Sequence, residues 1–126
     1  MGRQEAEQRI TDVTARFFRS TLSRSPGSVE VRLHHELLVV RVRGFLASTE
    51  PVLVESPGKR LAVEDHYARL FAQFGPLLRA GVREAAGREA LEFQILLSLP
   101  EDECLFILGL EHQNTDSVSL LAEGTR

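Results

Sequence analysis

Residues 28–45 read SVEVRLHHELLVVRVRGF, and the alternation in this stretch decides the fold. In Ser28–His34, Val29, Val31 and Leu33 alternate with Glu30, Arg32 and His34; in Leu37–Phe45, Leu38, Val40 and Val42 alternate with Val39, Arg41 and Arg43. A period of two sends successive side chains to opposite faces, so each run reads as a strand with one buried and one polar face. The interruption at His34-His35-Glu36 is short, and an antiparallel hairpin is the simplest connection. The outer face of that hairpin presents Arg32, Arg41 and Arg43 together.

Working outward, the spacing changes from two to three and four. Ala6, Ile10, Val13 and Phe17 share one face of a helix expected over Gln4–Leu22, with Arg3, Arg9, Arg16 and Arg19 in solvent. Ser25-Pro26-Gly27 ends it, because proline cannot continue a helix and glycine turns the chain. On the other side, Gly44 to Gly58 is turn-rich, with Ser48 or Thr49 as the cap of a short helical turn and Ser56-Pro57 as a helix start. A long stripe follows: Val63, Tyr67, Leu70, Phe74, Leu77, Leu78, Val82 and Ala85, ending before Gly87 as C-cap. It predicts one helix over Lys59–Ala86, kinked near Phe71–Gly75, where packing of the stripe outweighs the cost of Gly75-Pro76.

A second hairpin is expected from Ala90–Ser98 and Cys104–Leu110 around Leu99-Pro100-Glu101-Asp102-Glu103. Leu91, Phe93, Ile95 and Leu97 share a face opposite Glu92 and Gln94. The run Leu105-Phe106-Ile107-Leu108 is apolar on both faces, which implies burial on both sides. The order is α-β-β-α-β-β. It predicts an α+β two-layer sandwich: a four-stranded antiparallel sheet with two main helices, in a single domain over residues 1–112 with a flexible tail at 113–126.

The 126 residues suffice for one core without disulfides, and 43% hydrophobic against 26% charged content excludes global disorder. A single cysteine, Cys104, excludes a disulfide framework and a multi-cysteine zinc site. The longest apolar runs, Leu37–Val40 and Leu105–Leu108, fall far short of the roughly 20 residues of a membrane span, and the polar start at Met1 to Gln8 predicts no signal peptide. Residues 1–43 carry 8 arginines against 5 acids, whereas residues 44–126 carry 7 basic residues against 13 acids. So small a basic excess, with only Phe17 and Phe18 among its arginines, argues against nucleic-acid binding.

Phosphate-loop, dinucleotide, zinc-protease, C-x-x-C and serine-hydrolase motifs do not occur. His34-His35-Glu36 is the densest group of possible metal ligands, but strand neighbours point to opposite faces, so it reads as a polar hairpin tip. Asp102 and Glu103 would raise the Cys104 thiol pKa rather than activate it. His66 beside Glu64, Asp65 and Tyr67 reads as a solvated helix face before it reads as acid–base machinery. No catalytic residue, metal or cofactor is expected. Arg32, Arg41 and Arg43 are the candidate anion- or partner-binding group, with cross-strand pairing to Glu30 and Glu92 as the competing account.

Several stretches in order resemble a family of small bacterial proteins, MpsC-like, described as the C component of a sodium-translocating, membrane-potential-generating system. They are the turn Arg24-Ser25-Pro26-Gly27, the strand segment His35-Glu36-Leu37-Leu38-Val39-Val40, and Gly44-Phe45-Leu46-Ala47-Ser48-Thr49-Glu50, similar to the family's G-x-L-T-x-x-E. The helix closing at Gly87-Arg88, the Phe93 strand and the Leu105–Leu108 strand complete a resemblance over residues 4–110. Gly75-Pro76 and the proline-rich loop after Glu50 depart from the family pattern. The resemblance supplies no catalytic residues. It implies a non-enzymatic accessory or regulatory protein acting through protein contacts, linked to a membrane cation-translocating system and an integral membrane partner. The alternative is a sensory module that binds a small anion on the arginine-rich face. The expected location is cytoplasmic, at most peripheral to the inner membrane, with no direct insertion. Leu105, Phe106, Ile107 and Leu108 are the expected homodimer interface, unless the Gly44–Gly58 loop or Val118, Leu120 and Leu121 cover that strip.

Overall fold

The computed structural model describes residues 2–46 and 57–112. The alternating stretch forms β1 (Ser28–His34) and β2 (Leu37–Arg43), paired antiparallel from Ser28 opposite Arg43 to His34 opposite Leu37. His35 adopts a left-handed φ of 55°, which lets the chain reverse within His35 and Glu36. The second hairpin joins β3 (Ala90–Ser98) to β4 (Glu103–Leu110), and β4 lies against β2. The sheet order is β1-β2-β4-β3, with every neighbouring pair antiparallel.

One layer of helices covers one side of this sheet, so the α+β two-layer sandwich and its α-β-β-α-β-β order are as expected. Helix α1 (Arg3–Leu22) buries Ala6, Ile10, Phe17 and Phe18, together with Thr14, whose hydroxyl donates to the Ile10 carbonyl at 2.7 Å. The second helical region is divided: α2 (Pro57–Ala72) and α3 (Phe74–Ala86) meet at Gln73, whose N–H donates to Leu70 O at 3.2 Å, an i to i−3 closure of the last turn. The break falls inside the expected kink. Pro76 is the third residue of α3, in the first turn, where its missing N–H leaves no helical bond unmade. Gly75 has its own reason: a Cβ there would stand 3.2 Å from the Phe93 ring, so glycine lets α3 approach β3. Pro57 opens α2 and Gly87 caps α3 with φ 68°, donating to Arg83 O at 2.9 Å.

Phe18 sits at the centre of the core, its ring against those of Phe17, Phe45, Phe71, Phe74 and Phe106. From the sheet come Val31, Leu33, Leu38, Val40, Val42, Cys104, Phe106 and Leu108, all buried. Two expected core residues are outside it. Leu77 is 52% exposed on α3, and Leu91 is 65% exposed because a bulge between Ala90 and Glu92 shifts it out of phase with Phe93, Ile95 and Leu97.

The ends of the two hairpins are tied together. Asp102, at φ 51°, accepts from Phe45 N–H at 2.9 Å and Leu46 N–H at 3.0 Å, and its carbonyl accepts from Gly44 N–H. Gly44 (φ 71°) approaches Gly27 so closely that a Cβ would lie 3.0 Å from the Gly27 backbone. The expected cap at Ser48 or Thr49, and the covering roles of the rest of that loop and of Val118, Leu120 and Leu121, lie outside the described residues.

Candidate functional site

The side of the sheet turned away from the helices is the surface with the most chemistry. Register sets its rows across β1, β2, β4 and β3: His34, Leu37, Gly109 and Glu92; Arg32, Val39, Ile107 and Gln94; Glu30, Arg41, Leu105 and Leu96; Ser28, Arg43, Glu103 and Ser98. Leu37, Val39, Leu96, Leu105 and Ile107 therefore form a contiguous apolar strip down the middle. Leu37 is 47% and Leu96 53% exposed, and the other three are half-buried.

The structure divides the expected interface quartet. Leu105 and Ile107 face outward, but Phe106 and Leu108 are fully buried in the helix-covered core, so they cannot contact a partner. In a strand apolar on both faces, composition hides the alternation, and only the register with Leu38 and Val40 on β2 reveals which residues point inward.

Arg32, Arg41 and Arg43 lie on the same face, as expected, and carboxylates hold all three. Arg41 Nη2 donates to Glu103 at 3.0 Å, and Arg43 Nε donates to the same oxygen at 3.1 Å. Arg32 donates to Glu30 at 3.2 Å, and Glu30 stands 4.0 Å from Arg41. The hydrogen bond from Arg41, with that from Arg43, holds the Glu103 carboxyl below its ordinary value against an opposing effect of desolvation. Neutralisation within the sheet is thus the structural fact, across strands for Arg41 and Arg43 and along β1 for Arg32, with Glu103 where Glu92 was expected. Glu92 lies at the far side of the sheet, its side chain over Gly109. Arg41 Nε is buried without an acceptor, beside an open depression of about 300 Å³ lined by Glu30, Arg32, Val39, Arg41, Glu103 and Leu105.

The other candidates have structural roles. His35 forms the tight turn, and its carbonyl accepts from Arg88 Nη1 at 2.6 Å, while Glu36 pairs with His112 at 2.5 Å. Among the described residues, no group of three or more His, Cys, Asp or Glu side chains is placed to hold a metal ion. The Cys104 thiol is pushed up to about 12, first by burial and then by Glu103, so it stays protonated at neutral pH. His66 is exposed on α2, the neighbouring Tyr67 points into the core, and Asp65 pairs with Arg69.

A family model described as "Na+-translocating membrane potential-generating system (MpsC)" matches residues 2–112. Among curated proteins and among solved structures, no significant match is found.

Proposed function

The chain belongs to the MpsC family, and we propose that it is a non-enzymatic accessory component of a sodium-linked, membrane-potential-generating assembly, acting through protein contacts made by the open sheet face. The observation that carries this reading is the apolar strip of Leu37, Val39, Leu96, Leu105 and Ile107, which the helices leave uncovered. Soluble proteins seldom leave so continuous an apolar strip without a contact to bury it. No helix among the described residues is long and apolar enough to cross a membrane, so in this reading other components supply the translocation path and the chain docks from the cytoplasmic side.

The alternative, an anion-binding sensory module on Arg32, Arg41 and Arg43, has less behind it. An incoming anion would have to displace Glu103 from two hydrogen bonds, and Glu30 and Glu103 leave the cluster only one net positive charge. Crosslinking in the native host followed by membrane isolation tests the main reading. The chain should be recovered with an integral, cation-translocating membrane protein, and Ile107→Lys should reduce that recovery about tenfold or more. Recovery without such a protein, or recovery indifferent to the substitution, would overturn it.

A further inference from the structure

The outward charges are divided along the sheet. The β1–β2 half carries Arg32, Arg41 and Arg43 against Glu30, whereas the β4–β3 half carries Glu92 and Glu103 with no lysine or arginine. The apolar strip crosses both halves, from Leu37 and Val39 on β2 through Leu105 and Ile107 on β4 to Leu96 on β3, beside Arg41, Arg43 and Glu103 on the same central strands. Such a face is complementary to itself, but in one orientation only. If two copies meet face to face about a twofold axis parallel to the strands, β1 lies over β3 of the partner and β2 over its β4. The basic half of each copy then covers the acidic half of the other. An axis perpendicular to the strands would stack basic on basic and acidic on acidic.

Resting on the reading that this face is the contact surface, we propose that in the chain free of its assembly the occupant is a second copy of this chain, packed sheet on sheet about an axis parallel to the strands and exchanged for the assembly's own partner on docking. Along the central strands Val39 meets the partner's Ile107, and Leu37 lies over the partner's Gly109, the position without a side chain. Arg43 meets the partner's Glu103, and Arg32 reaches the partner's Gln94 and Glu92. The result is an eight-stranded, two-sheet centre with helices on both outer surfaces, the aligned packing that twisted sheets favour.

Pairing through sheet edges is disfavoured by contacts already made. Glu7 of α1 accepts the Leu33 N–H on β1 at 2.8 Å, and Arg79 of α3 donates to the Ala90 carbonyl on β3 at 2.8 Å. The size of the face sets the strength of the pair. Four strands about 4.8 Å apart and about seven residues long at about 3.3 Å each give about 440 Å² in plan. Relief from Leu37 and Leu96 raises the buried area toward, but not far beyond, the roughly 800 Å² per partner of a stable complex. A dimer that dissociates in the micromolar range follows.

Sedimentation velocity of the full chain over about 1 to 200 µM tests this. Expected is a concentration-dependent shift from 14.1 kDa to twice that mass, weakened at least about tenfold by Ile107→Lys and by Leu105→Lys. Arg32→Glu and Glu92→Lys should each weaken self-association several-fold, and mixing the two variants should restore it, since the mixed pair sets opposite charges together at both ends. A monomer throughout, with the face covered by the chain's own segments or kept for another protein, overturns the proposal, as does a dimer indifferent to Leu105 and Ile107. A dimer that those two residues control but that mixing does not restore overturns the orientation. The purified chain alone decides the dimer and the host-membrane experiment decides the function, so either can fail without the other.

Discussion

On β4, Phe106 and Ile107 are adjacent in sequence and have opposite surroundings. Phe106 is fully buried, its ring against those of Phe18, Phe71, Phe74 and Phe93. Ile107 is half-buried among Val39 and Gln94 on the face away from the helices. Across the whole sheet the same division holds. The inner face is apolar from edge to edge and is closed by aromatic rings from three helices, while the outer face keeps its arginines on β1 and β2, Glu103 and Glu92 on β4 and β3, and an apolar strip that crosses the central strands beside them. The inner face supplies the core that drives folding. The order on the outer face adds nothing to the monomer's core, and under the dimer proposed above it is what a second copy would read.

Truncating both neighbours is the strongest way to break that comparison. Phe106→Ala should cost about 3–5 kcal/mol in urea unfolding, the usual loss for an aromatic deleted from a closed core. Ile107→Ala should cost less, about 1–2 kcal/mol when measured below the dimerisation range, because the monomer leaves its side chain half-buried rather than enclosed in the core. If Ile107→Ala costs as much as Phe106→Ala in the monomer, some part of the chain covers the outer face, and the two faces are not different in kind.

The same two residues show how far the sequence could be read. The first hairpin was legible because both of its strands alternate apolar with polar residues and only two residues join them, so period and turn agree. The helix pattern was legible in type but not in extent: α2 and α3 bury the same side, so Val63 to Ala85 reads as one stripe although the chain breaks at Gln73. Leu91 was misplaced because a bulge is one extra residue, and one residue inverts a period of two. Glu92 was assigned to the arginines because periodicity says which residues share a face and nothing about which strands are neighbours; the order β1-β2-β4-β3 makes Glu103 their partner instead. Leu37, Val39 and Leu96 escaped notice as members of the strip for the same reason, since it exists only once β4 lies between β2 and β3.

A smaller effect is expected where the two hairpins are tied at one end. Asp102→Ala leaves the Phe45 and Leu46 N–H groups without their acceptor and places alanine at φ 51°, and about 1–3 kcal/mol should be lost. Asp102→Asn keeps an acceptor oxygen and tolerates the left-handed backbone, so most of the stability should return. Thermal unfolding of the pair measures both. An Asn variant as damaged as the Ala variant would mean that the negative charge, not the hydrogen bonds, holds this corner, and the electrostatic division of the outer face would then extend into the fold's own closure.

The smallest effect concerns the charges of the outer face itself. Glu103 is held below its ordinary value of 4.5, chiefly by the hydrogen bond from Arg41, with desolvation opposing and Arg43 assisting. A carboxyl with a lowered folded pKa contributes stability that is fully present above its unfolded pKa and is lost as pH falls through the folded one. The window therefore opens at about 4.5 and extends downward, and nothing of this contribution changes between pH 6 and 8. Glu103→Gln should lower the melting temperature slightly at neutral pH, and the gap to the parent should close as the pH drops below that window. Glu89, lowered by its hydrogen bond from Arg83 at the end of α3, supplies the control on the helical side of the molecule. Glu89→Gln should leave the concentration dependence of the melting temperature unchanged. Glu103→Gln should reduce it, because Glu103 alone of the two also meets an arginine of the second copy. Equal behaviour of the two variants at every protein concentration would reduce Glu103 to a cross-strand pair within one sheet.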